Sequence, residues 1–596
     1  MNKIFPCRFP LLRYHIITLS LCLGLTLTGS VEAYAGSANQ EPITVVNSDG
    51  SLLTIILCGD ECCHFYTTLD GIPVVQEENG DFRVAPQLTD SINNLWKTKR
   101  IRRNARRMAR IEAHKAKART SADQTNAYQG KKRGIVILAN FSNLYMKSIN
   151  TPDVFYRIFN EPGYHDNNHY GSVHDYFKDQ SYGKFDLTFD LYGPVEASNT
   201  YAHYGGNKAD GDDKYVAALA AEICTKADQM YDINWADYDW DGNGEVDQVF
   251  IVYAGYGEQN GAPANTIWPH EWTLTEGKDY GDGNGPITLG GCVIDTYAMA
   301  CELSGTRGSN ISGIGTACHE FCHCLGLPDF YDISYKGGFG MDTWDLMDKG
   351  DRNGRTNNGE QPAGFTAYER WCAGWLDFIE LDQPATITQM PALQDSAVAY
   401  IIYNENYRNE FFTLENRQNH GWFTYTKNYT SPHGLLICHV DYNAKIWEEN
   451  EVNTDTKHQR MTIIPAGREF GSYNTSQKKY TVSERVYQSQ LFPGTSNVST
   501  LDYISHENVG GRFYHPNEED TYLLNKPITD IQETNGLISF KFRGGTDSSI
   551  TPVSGDNNRQ KTEYFTLNGI KVNTPTQPGF YILRQGNISK KIHIRQ

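Results

Sequence analysis

Beyond its first thirty-odd residues the sequence lacks any apolar run near the ~18 residues that span a bilayer, so no transmembrane segment is expected in the mature chain. It is short of positive charge: 53 Lys and Arg stand against 71 Asp and Glu, a formal net charge of -18 and a pI near 5.4. An acidic surface of this kind repels phosphate backbones and anionic lipid, which argues against nucleic acid and membrane as partners. A regular disulfide framework is missing too. Of thirteen cysteines, Cys7 and Cys22 fall in the N-terminal leader; eleven remain, an odd number, clustered as Cys62-Cys63 and as Cys318, Cys322 and Cys324.

What is present reads as several domains, because 596 residues exceed one core. Lys3, Arg8 and Arg13 precede an apolar run from Ile16 to Leu27, and Ala33-Tyr34-Ala35 offers small residues to signal peptidase; residues 1–35 are therefore expected to be a signal peptide and the protein to be secreted or on the cell surface. Residues 36–96 alternate short apolar runs with Asp-Gly and Asn-Gly turns, a β-rich, propeptide-like unit. Residues 97–130 form a basic arm in which Lys97 to Arg119 hold eleven Lys and Arg against the single Glu112. Residues 131–384 mix buried-strand runs such as Gly134 to Phe141 and Val249 to Tyr253 with helical patterns around Val173 to Tyr182 and Lys214 to Gln229. From 385 to 545, Tyr-, Thr-, Val- and Phe-rich runs alternate with turns and no long helical pattern appears, as in a β-sandwich. A polar linker at 546–560 leads to a small β module at 561–596. The fold class is α+β and multidomain.

The chemistry lies in Gly315 to Asp332, where His319, Glu320 and His323 form His-Glu-x-x-His and Gly326 and Asp329 extend it to His-Glu-x-x-His-x-x-Gly-x-x-Asp. Residues four apart on a helix share a face, so His319 and His323 can present both imidazoles to one ion with Glu320 beside them. A helix is expected over Ile311 to Leu325, with Ser309 or Ser312 as its cap, Gly326 as its left-handed stop and Pro328 preventing its resumption. The chain then returns Asp329 toward the imidazoles as a third ligand; Asp332 is the rival carboxylate and Cys322 a soft competitor. Two imidazoles, a carboxylate and an open position make a catalytic zinc site, at which Glu320 would take a proton from a zinc-activated water and give it to the leaving amine. Paired imidazoles disfavour calcium and magnesium there.

His319-Glu-Phe-Cys-His-Cys-Leu-Gly-Leu-Pro-Asp-Phe-Tyr-Asp resembles the active-site segment of the immune inhibitor A family of secreted bacterial zinc metallopeptidases, relatives of the metzincins. Gly171-Ser-Val-His-Asp-Tyr-Phe-Lys-Asp-Gln-Ser-Tyr-Gly, Leu414-Glu-Asn-Arg-Gln and Cys438-His-Val-Asp-Tyr-Asn are similar to other segments of that family, and Trp344-Asp-Leu-Met-Asp looks like its Met-turn. The resemblance implies a zincin-type α/β catalytic domain flanked by β-rich domains, His319, His323 and Asp329 as zinc ligands, Glu320 as base and Met347 as the apolar floor below the metal. It leaves the oxyanion partner unassigned, since Asp348 and Lys349 follow Met347. The C-terminal module, from Tyr564-Phe-Thr-Leu-Asn-Gly to Lys590-Lys-Ile-His-Ile-Arg-Gln, resembles type IX secretion sorting domains, which implies secretion machinery as a partner beside protein or peptide substrates.

A second constellation, Asp237-Tyr-Asp-Trp-Asp-Gly-Asn-Gly-Glu-Val-Asp247, alternates carboxylates before Gly242 as the start of an EF-hand loop does, but Gln248 stands where such a loop has its bidentate Glu. It is expected to hold a structural calcium through Asp237, Asp239, Asp241, Asn243 and Asp247. Cys58, Cys62 and Cys63 raise a zymogen in which one thiolate caps the zinc. The expected function is a zinc endopeptidase acting on extracellular proteins. The alternatives are a narrow-specificity processing protease, a catalytically silent zincin or adhesin that binds host or matrix protein, and a cysteine peptidase using Cys318 or Cys322.

Overall fold

The computed structural model describes residues 38–101 and 128–545, with breaks at 39, 61–62, 78, 93, 95–96, 100, 209–211, 428 and 476–477, and the backbone of strands between 549 and 594. The expected signal peptide, most of the basic arm and most of the linker lie outside the described residues.

Five short strands open the fold: β1 (Ile43–Val46), β2 (Leu52–Asp60), β3 (Cys63–Thr68), β4 (Pro73–Gln76) and β5 (Phe82–Val84), an antiparallel sheet in sequence order. Its apolar face does not close on itself. Ile55, Leu57, Tyr66 and Val74 bury against Ala264 and Trp268, which belong to the next layer of the chain, so this sheet completes its core only by docking.

The central sheet is built from β6 (Gly130–Asn140), β7 (Phe185–Glu196), β8 (Val249–Tyr256), β9 (His270–Thr273) and, after the hairpin β10 (Ile287–Leu289) and β11 (Cys292–Ile294), β12 (Thr296–Leu303). The spatial order is β7-β6-β8-β12-β9, parallel throughout except for the antiparallel edge strand β9. The continuous apolar run of β6 follows from burial on both faces. Ile135, Ile137 and Ala139 point into one core with the helix Val216–Tyr231, while Val136 and Leu138 point into the other with Pro152–Asn160, Val173–Gln180 and Gly315–Cys324. Val173–Gln180 starts with a reciprocal cap in which Ser172 and Asp175 satisfy each other's backbone N–H.

The helix Gly315–Cys324 is shorter than the sequence pattern predicts and has no side-chain cap. Ser312 is drawn away: its N–H donates to Glu302 O and its Oγ lies 3.6 Å from Cys301 Sγ. The helix start is fixed by close packing instead. A Cβ on Gly315 would lie 1.7 Å from the Asp351 carbonyl oxygen, so only glycine lets the helix meet the 351–359 loop. At the other end Gly326 takes φ +90, as a helix stop requires.

Toward the C-terminus a five-stranded sheet (Ile379–Glu380, Tyr400–Tyr403, Glu410–Arg417, Gly434–Asp441, Met461–Ile463) faces a second sheet formed by Ile528–Thr534, Leu537–Phe542, Ala385–Met390 and Ser549–Ile550. Phe412, Leu414, Leu435 and Ile437 pack between them with Phe540 and Phe542. The other face of the first sheet carries Phe411, Leu436, Cys438 and Val440 into the same core as Trp344, Met347 and Phe321. The core under the central sheet and the first of these β-sheets share one apolar interior across residue 384. The last strands, Thr562–Thr566, Lys571–Val572, Gly579–Gln585 and Ile588–Ile594, form a separate antiparallel sheet. Among the described residues no helix is long and apolar enough to cross a membrane.

Candidate metal centre

The helix Gly315–Cys324 is buried almost all round. Phe321 anchors its apolar side, with ring centroids 4.8 Å from Phe177 and 6.0 Å from Trp240. The opposite face carries His319 and His323, whose rings stand edge to face 4.9 Å apart, with Glu320 between them in sequence. All three side chains are fully buried.

Both imidazoles are locked from behind. His319 Nδ1 lies 2.9 Å from Leu346 O, and His323 Nδ1 lies 2.9 Å from Leu327 O. A carbonyl only accepts, so each Nδ1 carries the hydrogen and each Nε2 keeps its lone pair. Those lone pairs face Asp329 Oδ1, at 3.2 Å from His319 Nε2 and 3.8 Å from His323 Nε2. The three ligand atoms lie within 4.8 Å of one another. His319 Nε2 and Asp329 Oδ1 make no hydrogen bond despite full burial, an arrangement that costs stability unless a cation joins them. Burial alone would push the His319 imidazole down, but the Asp329 and Glu320 carboxylates outweigh it and raise it to about 10, so Nε2 holds a proton wherever no cation takes up its lone pair.

Asp329 is aimed by a residue the sequence did not disclose. Its backbone N–H donates to Asn450 Oδ1 at 2.7 Å, and Asn450 Nδ2 donates to Asp329 Oδ2 at 2.6 Å, which leaves Oδ1 to the histidines. Asn450 follows the short helix Ala444–Glu448 at φ +54, a conformation Asn tolerates better than most residues. No local pattern marks it: it is 121 residues from its partner and on the other side of the assumed domain boundary.

Met347 is buried in the turn whose preceding carbonyl holds His319. Its N–H donates to Asp345 Oδ1 at 2.8 Å and its carbonyl accepts from Phe330 N–H at 2.8 Å, so the turn is clamped between the helix and the segment that carries Asp329. Burial, and then Glu369, drive the Asp345 carboxyl well above its usual range.

The rival ligands are placed elsewhere. Asp332 Oδ2 accepts the N–H groups of Lys336, Gly337 and Gly338 and its Oδ1 accepts from Ser334, so this carboxylate builds a turn. Burial raises Cys318 and Cys322 well above the ordinary thiol range, the opposite of an activated nucleophile. Cys58 faces Thr67 Oγ1 at 3.6 Å within the N-terminal sheet; Cys62 and the side chain of Cys63 lie outside the described residues.

In the acidic loop, Asp237 pairs with Arg133, Asp239 accepts from Asn243 N–H at 3.0 Å and Gly244 N–H at 2.8 Å, and Asp241 accepts from Asn243 N–H at 3.0 Å. Asn243 Oδ1 accepts from Glu245 N–H, and Asp247 Oδ2 accepts from Trp240 N–H. Two groups of three metal-competent side chains occur among the described residues, and this loop is neither of them.

Residues 133–374 match the immune inhibitor A peptidase M6 catalytic domain. The pre-pro-metalloprotease PrtV of Vibrio cholerae serotype O1 is 27% identical over 241 residues, which cover 36% of this chain and 25% of that protein. Immune inhibitor A of Bacillus thuringiensis subsp. alesti is 24% identical over 312 residues, covering 45% and 44%. The chain therefore spans less than half the length of these curated relatives. His319, His323 and Asp329 gather inside the segment 133–374, the part of the chain that is similar to the immune inhibitor A peptidase M6 catalytic domain.

Proposed function

We propose that the chain is a secreted zinc endopeptidase of extracellular proteins, with His319, His323 and Asp329 holding the ion and Glu320 acting as general base. The observation that carries this reading is the pair of Nδ1-locked imidazoles facing one buried carboxylate oxygen. The donor set fits zinc, since two imidazoles and one carboxylate with a position left over is its catalytic pattern, whereas calcium and magnesium prefer oxygen alone. Zinc bound there supplies a Lewis acid for the scissile carbonyl and lowers the pKa of a water. Glu320, next to the first ligand on the same helix, takes up the proton and returns it to the leaving amine. The Leu346 and Leu327 carbonyls hold the imidazoles in the ligating tautomer, and Asn450 keeps Asp329 turned toward them.

Treatment with a zinc chelator is expected to abolish cleavage of a denatured protein, and stoichiometric Zn²⁺, not Mg²⁺, to restore it. Full activity after complete metal removal would refute the proposal.

Two further assignments belong to the same reading. The loop from Asp237 to Asp247 holds a structural Ca²⁺; its spacing supports this, as do the left-handed turns at Gly242 and Gly244. Calcium added to chelator-treated protein should raise Tm, and an unchanged Tm counts against the site. The C-terminal module directs export; its antiparallel strands and basic, apolar end support this. Removing residues 561–596 should trap the chain within the cell envelope, and undiminished release would rule the role out.

A further inference from the structure

The second group of three metal-competent side chains is unrelated to the first. His64 of β3, Asp213 and Glu258 bring an imidazole nitrogen and two carboxylate oxygens within 4.8 Å of one another. All three residues are buried. His64 Nε2 lies 3.1 Å from Glu258 Oε2, yet neither atom makes a hydrogen bond, and Asp213 Oδ1 has none either. The His64–Glu258 contact is a buried ion pair whose geometry is poor for a hydrogen bond, which leaves both atoms able to share a cation. The peptidase centre shows the same pattern at His319 Nε2 and Asp329 Oδ1.

The second oxygen of each carboxylate is engaged in a way that aims the first, while His64 Nδ1 is buried without a hydrogen-bond partner. Glu258 Oε1 accepts from Tyr66 Oη at 3.3 Å and from Asn207 Nδ2 at 3.2 Å, which turns Oε2 toward His64. Asp213 Oδ2 accepts from Trp268 N–H at 2.9 Å, which leaves Oδ1. The His64 ring stacks on Trp268 with centroids 4.5 Å apart, fixing its plane. Nearby, Lys99 is paired with Asp212 and lies 5.1 Å from the Tyr280 ring centroid. Two carboxylates beside one imidazole in a buried cluster are balanced either by protons or by a bound cation.

We propose that His64, Asp213 and Glu258 form a second divalent-metal site, of the zinc type, that clasps the N-terminal sheet to the peptidase domain. An imidazole among the donors favours a transition ion over calcium or magnesium, and a 2+ charge balances the two carboxylates. One ligand comes from the N-terminal sheet and two from the domain beneath, so the ion adds its binding energy to their docking. Ile55, Leu57 and Tyr66 pack with Trp268, whose ring lies against His64, so the apolar contact between the two layers adjoins the clasp.

The test is zinc counting on the full chain, with the N-terminal sheet shown intact by mass spectrometry. After equilibration with buffered Zn²⁺, the unsubstituted protein should bind two equivalents. His64→Ala, Glu258→Gln and Asp213→Asn should each keep one, His323→Ala should keep one, and His64→Ala/His323→Ala should bind none. Glu258→Gln preserves shape, so it reports even if His64→Ala unfolds. Hydrogen exchange supplies a second reading: Zn²⁺ should slow amide exchange across β2 and β3 in the His323→Ala chain and have no effect on them in His323→Ala/Glu258→Gln. A single equivalent that disappears entirely with His323→Ala, or two equivalents that survive both His64→Ala and Glu258→Gln, overturns the proposal. Neither outcome depends on peptidase activity.

Discussion

Glu320→Gln is expected to leave zinc bound as in the unsubstituted chain while kcat/KM on a denatured protein falls by about 10²–10⁴-fold. Gln matches Glu in shape, so the helix Gly315–Cys324 and the locked imidazoles beside it should be unaffected. What is lost is a group able to accept a proton, and a carboxamide cannot replace it. Zinc analysis by mass spectrometry and cleavage of the same samples separate the two effects. Equal cleavage by both chains would remove Glu320 from the mechanism. No cleavage by either, with zinc bound, would favour a silent binding protein built on the same fold.

The second large effect should come from Asn450, which lies outside the matched peptidase segment. Asn450→Ala removes both hydrogen bonds that fix Asp329, the 2.7 Å bond from its N–H and the 2.6 Å bond to its Oδ2. With those gone, the carboxylate is free to rotate and a buried donor is left unpaired. Outer partners of metal ligands typically change affinity about 10–100-fold when removed. Zinc affinity by chelator competition should fall in that range, and excess zinc should restore much of the cleavage. That rescue separates a positioning role from general damage to the fold. Unchanged affinity would show that Asn450 serves only to pack the loop that carries it.

Asn450 also marks the limit of reading along the chain. The local features of the site were legible because helical geometry is periodic: a four-residue spacing puts His319 and His323 on one face, and Gly326 ends the helix where the pattern requires. Asp329 follows within a few residues of that stop. The sequence pattern places the helix start too early because Ser312 looks like a cap, whereas tertiary contacts claim it and the close approach of Gly315 to Asp351 sets the boundary. Asp332 and Asp329 look alike in sequence. Only the folded turn shows that Asp332 is consumed by the Lys336 to Gly338 amides.

The same distinction holds for the whole chain. Composition and apolar runs indicate buried strands in a mixed α/β order with β structure on both sides, because strands buried on two faces must be apolar throughout and strands buried on one face must alternate. They gave no sign that the sheet around Glu410–Arg417 would share its interior with Trp344 and Met347, since burial against a neighbouring layer leaves the same pattern whatever that layer is. Pairings over long sequence separations leave no periodic trace: His64 with Glu258, Asn450 with Asp329. By itself, then, the sequence determined the helix that carries His319, Glu320 and His323 and the chemistry those residues permit. Tertiary structure alone decided which carboxylate faces the imidazoles, what holds it there, and that a histidine of the N-terminal sheet meets two buried acids of the peptidase domain, because those choices depend on which surfaces are brought together when each sheet buries its apolar face.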